Sequence, residues 1–565
     1  MNVLGAFLSE LKRRRVYRVA VAYAVVAFVI WQAAEIAVPG LNLPDWVLTL
    51  VILLTALGFP VAVVLAWAFD ITPEGVKRTD AEGPGTIAPG KVERVAGEGE
   101  AEARKAIAVL PFADMSPEGD QEYFSDGMSE ELIDALTKIP GLRVTARTSS
   151  FQFKGERRDI REVGRALGVT HVVEGSVRKS GDRLRITAQL VDTSEGYHLW
   201  SERYDRDLDD IFQVQDEIAR SIARELKIRL ADPAAALERP RTENLEAYDN
   251  YLRARVCFAE LVPESWTHRA IEYFKRTIEL DPTYAPAHAG LAAAYDQLNR
   301  FAGPEAEEAL AKAREAARRA LDLDSTLSEA YTILGIIAMT YDWDREAARR
   351  NLERAIQVNS NEARAHAWYT IYLLYYEKRF DEALEKARRA VELDPLDWTP
   401  RGFPWWVLWV RGEYESYLQE ALEVIQQEPQ HAHPHYWAGT GYLLTGRPNE
   451  AIAELGRAVE LGGPTHFYLS YLAVAHARAG NASKAREILA DFEERISRGA
   501  ALSSWRARIH AALGERDEAL DALESAYVEH DRSLFHVASD PLFDEVRSHP
   551  RFAAVFRKMG LEKWC

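Results

Sequence analysis

Small residues return at a fixed interval along the second half of this 565-residue chain, and that interval restricts the fold more than any other feature. Ala313, Ala348 and Ala383, then Tyr417 as an imperfect member, then Ala451, Ala485 and Ala519 are spaced by 35, 35, 34, 34, 34 and 34 residues. A period of this length marks a helical hairpin that cannot bury its own apolar faces, so neighbouring units must stack. The clearest unit is HAHPHYWAGTGYLLTGRPNEAIAELGRAVELGGP, from 431 to 464. Gly439 and Tyr442 fall on its first helix, Gly446 closes the turn, and Ala451, Leu455 and Ala458 line the second helix. Gly439, Ala451 and Ala458 let the helices approach, and Leu455 fills the space between them.

Helix pairs repeating every 34 residues resemble the tetratricopeptide family. An earlier unit anchored on Ala270 (AIEYFKRTIELDP) brings the expectation to about eight units between residues 244 and 531, the first two with longer internal loops. The run DPLFDEVRSHPRFAAVFRKMGL breaks the period, and residues 532–565 are expected to cap the array. The resemblance implies a concave groove lined by set positions of each first helix. Carried onto this chain, those positions hold Trp368, Tyr372, Tyr375 and Tyr376 from one unit, Trp406 and Trp409 from the next, and Tyr436 from a third. This aromatic band is the candidate site for a protein or peptide partner, because aromatic rings bury much area at low entropic cost. Packing between units competes as the role of each ring. The ninth positions of the first helices are Tyr372, Trp406, Thr440 and Val474, so the basic-plus-asparagine set of carboxylate-clamping relatives is missing. A free carboxylate terminus is therefore not the expected ligand.

The other end of the chain points to a membrane. Val19 to Val38 is a run of 20 residues with only Gln32 and Glu35 strongly polar, and Val47 to Phe69 is 23 residues without a charge. At about 1.5 Å rise per residue each reaches roughly 30 Å, the thickness of a hydrocarbon core. The intervening PGLNLPDW makes a tight turn, which completes a two-helix transmembrane hairpin over residues 1–78. Lys12, Arg13, Arg14, Arg15 and Arg18 precede the first run, Lys77 and Arg78 follow the second, and the turn has no cation. Both flanks are therefore expected in the cytoplasm of a bacterial inner membrane, with the turn outside. A cleaved signal peptide fits less well, since the apolar region is too long and a second span follows. Residues 79–103, rich in Gly, Ala, Glu and Pro, read as a flexible linker.

Between linker and repeats the pattern is α/β. Ala106 to Phe112 suits a buried strand, LRVTA a second, and Tyr197 to Tyr204 a further one. Asp126 is placed to cap a helix starting near Gly127, and Asp159 to Leu167 forms a short helix closed by Gly168. The strongest local signal is a hairpin, His171 to Lys179 and Arg183 to Asp192, in which Leu184, Ile186, Ala188 and Leu190 alternate with polar residues. Ile211, Ile218, Ile222 and Leu226 then mark an amphipathic helix. The stretches AIAVLPFADMSPEGDQEYFSDGMSEELIDAL, RTSSFQFKG, DIREVGRALGVTHVVEGSVRKSGDRLRITAQLVD and GYHLWSERYDRDLDDIFQVQDEIA resemble the TolB amino-terminal or FlgO-like domain over residues 104–232. AWAFDITPEGVKR is similar to the membrane leader that often precedes it. This resemblance implies a bacterial protein with a small mixed sheet, accompanied by tetratricopeptide repeats. Relatives of the isolated domain act in the bacterial envelope, which makes a periplasm-facing assembly component the alternative to the cytoplasmic reading.

The fold class expected is thus multidomain: membrane hairpin, small α/β domain and all-α solenoid. The net charge is -18, all of it beyond residue 80. Nucleic acid is an unlikely partner for so acidic a region, since a duplex binder needs a cationic face. Two cysteines, Cys257 and Cys565, suggest neither bridge nor redox pair. No Walker loop, dinucleotide glycine motif, HExxH, GxSxG or CxxC occurs, and the chain gives no cofactor motif. His431, His433 and His435 alternate beside Pro434 and do not share a helix face, so a metal site is not expected. Asp126 has no catalytic partner in view. The expectation is a non-enzymatic scaffold or signalling adaptor, with the periplasm-facing component and, last, a cryptic enzyme as alternatives.

Overall fold

The structure, a computed structural model, describes residues 69–72, 75–78, 105–156, 158–181, 183–226, 228, 242–258, 264–299, 306–497 and 502–565. The expected membrane runs 19–38 and 47–68 and the linker 79–103 lie outside the described residues. No helix among the described residues is long and apolar enough to cross a membrane. The chain divides into two compact units, Met1–Gly99 and Glu100–Cys565. In the first, β1 (Phe69–Thr72) pairs antiparallel with β2 (Gly75–Arg78).

The second unit begins with a mixed sheet. The short strand β3 (Ala106–Val109) is buried on both faces, so it sits in the interior of the sheet, between parallel neighbours β5 (Arg143–Val144) and β6 (His171–Ser180). Ile107 and Val109 face one cluster and Ala106 and Ala108 the other, the period of two that a strand imposes. β7 (Arg183–Asp192) and β8 (His198–Asp207) continue antiparallel, and β4 (Ala113–Asp114) pairs beside β6. In β7, Leu184, Ile186, Ala188 and Leu190 are buried, as their alternation requires. Helices α1 (Glu122–Thr137) and α4 (Ile211–Glu225) cover the Ile107 face. α3 (Ile160–Leu167) covers the other, capped by Asp159, whose side chain accepts from Arg161 N, and ended by Gly168 at φ 63°. The one-turn α2 (Arg147–Ser150) follows β5.

One local expectation is corrected. Helix α1 starts at Glu122, so Asp126 lies in its interior rather than at its cap. Its buried carboxylate pairs with Lys154 Nζ at 2.5 Å. Burial pushes its pKa up, with Lys154 opposing.

Among the described residues the remainder is mainly helical. Eight pairs follow: α5 (Leu245–Cys257) with α6 (Glu264–Leu280), α7 (Ala285–Asn299) with α8 (Ala306–Leu323), and α9 (Ser328–Thr340) with α10 (Arg345–Val358). Next come α11 (Ala363–Tyr372) with α12 (Phe380–Leu393), and α13 (Trp398–Arg411) with α14 (Tyr414–Gln427). Then α15 (Ala432–Leu444) precedes α16 (Pro448–Gly462), α17 (His466–Arg478) α18 (Ala482–Ser497), and α19 (Ser503–Leu513) α20 (Arg516–Val528). The periodic small residues Ala270, Ala313, Ala348, Ala383, Ala451, Ala485 and Ala519 are all fully buried. A Cβ added at Gly439 would lie 2.5 Å from Leu455 Cγ, and one at Gly335 2.7 Å from Leu352 Cγ, so helix contact at these points requires glycine. These are tetratricopeptide-like repeats.

The α/β domain is fastened across the turns between repeats. Asn361, between α10 and α11, donates to Thr137 O (3.1 Å) and Leu142 O (3.0 Å) and accepts from Val144 N (3.3 Å). Between α12 and α13, Asp394 accepts from Thr148 and Ser149, and Ala146 N donates to Leu393 O at 2.7 Å. A Cβ at Gly127 of α1 would meet Leu252 of α5 at 2.6 Å. The apolar core of the sheet therefore runs without a break into the first three helix pairs.

Candidate functional site

The seven aromatic residues expected on the groove come from α11, α13 and α15. None is exposed: Tyr372, Tyr375 and Tyr376 are buried, and Trp368, Trp406, Trp409 and Tyr436 are half-buried. Two of them pack within the array, Trp409 on Tyr417 of its own pair and on Tyr471 of α17, Tyr436 on Phe467, Tyr468 and Tyr471 of α17. Tyr372 stacks on Tyr369 and donates to Glu377 at 3.0 Å, and Tyr376 points its hydroxyl at Met339 O.

Tyr375 is held differently. After Tyr372 the helix widens into a π turn, Leu373–Glu377, that ends at Lys378 with φ 56°. Such turns accumulate at functional places. The phenol accepts from Trp406 Nε1 (3.1 Å) and shares a hydrogen bond with Ser539 Oγ (2.9 Å). Its backbone carbonyl, at a helix end and free of an intrahelical donor, accepts from Trp564 Nε1 at 2.8 Å. Burial raises the Tyr375 pKa, so the hydroxyl stays protonated.

Both Ser539 and Trp564 belong to the segment after the repeats, and the band is closed because that segment folds back into it. The segment is built of α21 (Leu534–Val537), α22 (Asp544–Arg547) and α23 (Pro550–Lys558). Phe535, 6% exposed, meets Tyr375 edge-on at 5.2 Å and lies parallel to Trp406 at 6.2 Å. His536 packs on Trp406 at 3.8 Å. Arg532 lies over Trp368 at 4.9 Å and donates to the buried Asp296 of α7. His530 stacks on Tyr341, 4.1 Å away, and donates through Nδ1 to its carbonyl. Lys378 sits over the Trp564 ring and donates to Lys563 O. The expected cap therefore does more than cover the last pair. It reaches back to α7, α9, α11 and α13.

The electrostatics of this seat are unusual for a helical array. Arg508 of α19 donates through Nε to Asp540 Oδ2 at 2.8 Å, and the two side chains are 2% and 1% exposed. Tyr471 and Trp505 flank the guanidinium at 4.8 Å each. Asp540 uses Oδ1 to cap its own turn through Leu542 N. Arg508 Nη1 and His536 Nδ1 are shielded from solvent with no hydrogen-bond partner among the described residues. Burial, with Arg508 and Arg532 nearby, holds the His536 pKa well below its usual value, so its ring is neutral. Sequence reasoning missed Arg508 because the groove positions were followed only as far as Val474. One repeat later the same position is Arg508, a lone cation facing a segment that carries Phe535 and Asp540.

The histidines singled out in the sequence are held structurally. His435 bonds Glu454 (2.6 Å) and Pro429 O (3.1 Å), while His433 stacks on Trp398, and burial lowers its pKa to about 4. Among the described residues no group of three or more His, Cys, Asp or Glu is placed to hold a metal. A cleft of about 350 Å³ separates the α/β domain from the repeat turns, lined in part by Glu130, Arg147, Arg255, Glu329 and Glu362. Glu130 is buried between Arg147 and Arg255, and Arg255 also reaches Glu329. Burial and the neighbouring Glu329 raise Glu362 to about 7.

Residues 103–221 match the family model of the second domain of HilA/YgeH-like transcriptional regulators, well under half of the chain. A curated protein of Rhizobium meliloti (strain 1021), named putative adenylate cyclase 3, is 42% identical over 250 residues, 43% of this chain and 41% of that protein. The chain thus matches about two fifths of that relative's length. Among solved structures, yeast Tom70 aligns with TM-score 0.37 and 14% identity over 62% of this chain and 82% of that one. A tetratricopeptide repeat protein from Parabacteroides merdae aligns with TM-score 0.35 and 12% identity over 50% and 99%. Superpositions this loose add nothing to the repeat geometry already described.

Proposed function

We propose that this protein is a protein-interaction scaffold in a signalling system, with the concave face of its repeats as the recruiting surface and the α/β domain as a rigid second module. One observation carries the reading: the aromatic band already holds a peptide segment, with an aromatic anchor on Tyr375 and Trp406 and a carboxylate on Arg508. A surface that seats Phe535 in this way is chemically fit to seat a partner's peptide. The signalling setting is inferred from the two sequence likenesses, to a transcriptional regulator domain and to a protein named as a cyclase. The TolB/FlgO-like lineage of residues 104–232, the 19–38 and 47–69 membrane hairpin, the cytoplasmic side and a non-enzymatic role belong to the same proposal. An envelope component facing the periplasm is the alternative.

Affinity capture from membrane extracts tests the groove. Partners held by the full chain should be lost from Trp406→Ala/Trp409→Ala at unchanged helicity, and equal capture by both would sink the groove reading. For the side of the membrane, a reporter fused after Lys105 should fluoresce in the cytoplasm. Alkaline phosphatase activity from that position would turn the assignment to the periplasm.

A further inference from the structure

We propose that residues 530–565 are a built-in competitor for the groove, and that the partner displacing them is a peptide of the pattern Arg-x-Leu-Phe-x-x-x-x-Asp/Glu. This deepens, and rests on, the scaffold reading above.

Three features separate a competitor from a plain cap. A cap has to cover only the exposed face of the last pair, α19 and α20. This arm extends to Tyr341, Asp296, Trp368 and Tyr375, up to 236 residues back in the chain. Second, its first part is built of short helical turns, α21 and α22, with single anchors instead of another stacked pair, ahead of the nine-residue α23 whose Phe552 and Phe556 are buried in the repeat core. Third, the seat is polar where an apolar one would be more stable. A buried ion pair loses much of its Coulombic gain to desolvation, and here Arg508 Nη1 and His536 Nδ1 are left without hydrogen-bond partners.

The third feature also defines the displacing ligand. Arg532, Leu534, Phe535 and Asp540 are the groups that engage Asp296 and Trp368, the core, the Tyr375–Trp406 corner and Arg508. Asp540 accepts one hydrogen bond from Arg508, on Oδ2, while its Oδ1 accepts from Leu542 N and is oriented by that turn. A carboxylate free of that duty can engage Nη1 and Nη2 together, the end-on two-pronged geometry a guanidinium favours, and so give Nη1 a partner. A partner with this pattern and an uncommitted Asp or Glu should therefore outcompete the arm.

The test uses the full chain and a fluorescent peptide of residues 530–549, with an Arg532→Ala/Phe535→Ala peptide as control. In the full-length Arg532→Ala/Phe535→Ala protein, hydrogen exchange of 530–565 should accelerate while α15 to α18 stay protected. That variant should bind the peptide at least ten-fold more tightly than the unaltered protein, and adding Trp406→Ala should abolish binding. If exchange of the arm does not change, the arm is fixed core and the proposal fails. Equal peptide affinity with and without a seated arm would overturn the competition while leaving the groove reading intact. No peptide binding to a demonstrably released groove would also overturn the proposal, and the partner-capture comparison then decides the scaffold reading separately.

Discussion

Replacing Asp540 with alanine removes the counter-charge of a guanidinium that is 2% exposed. An uncompensated buried charge costs about 3–5 kcal/mol. The same side chain caps the turn at Leu542, whose loss costs about 1 kcal/mol more. The sum, roughly 4–6 kcal/mol, corresponds to three to four powers of ten in the seating equilibrium. Global unfolding should show less than this, because the arm can leave the groove and let Arg508 hydrate. The loss is therefore read locally: exchange of amides in 534–561 should rise by orders of magnitude while those of α15 and α17 change little. Arg508→Met/Asp540→Leu provides the control, since apolar replacement of both partners is expected to be neutral or stabilising. A shift below about 1 kcal/mol for Asp540→Ala, with exchange unaltered, would refute a desolvated pair and place both groups in water.

Gly439→Ala drives a methyl to 2.5 Å from Leu455 Cγ and should destabilise the solenoid by about 1–3 kcal/mol in urea unfolding, with partial rescue by Leu455→Ala. Asn361→Ala removes the bonds to Thr137 O, Leu142 O and Val144 N, and should cost about 1–3 kcal/mol, seen as faster exchange or proteolysis at β5 with the repeats intact. Glu362 titrates near 7 when folded against an ordinary 4.5, so its contribution is fully present below 4.5 and is lost as pH rises through 7. Glu362→Gln should thus match the parent at pH 4.5 and exceed it at pH 8, by about 1–2 kcal/mol after allowance for partial exposure. His536 has the opposite sign: held neutral below its ordinary 6.5, it weakens seating of the arm as pH falls below that value. Its ring faces Arg508, Arg532, Tyr375 and Trp406, and His536→Asn should flatten the acid loss of arm protection.

Local and periodic features were legible before any coordinates. The interval from Ala313 to Ala519, with Ala270 before it, marked the packing positions of the helix pairs, because a small residue at each crossing is a geometric requirement that recurs in one dimension. Alternation along Leu184, Ile186, Ala188 and Leu190 determined β7 for the same reason. Asp126 misled because its neighbours resemble a cap, whereas the decisive partner, Lys154, is 28 residues away. Register assigns the band Trp368 to Tyr436 to set positions of successive first helices as an expectation, but register does not say what packs against it. That was decided by tertiary packing, which brings Arg532, Phe535, Asp540 and Trp564 against residues 32 to 236 positions distant. No period links such pairs, and each becomes visible only as a contact in three dimensions.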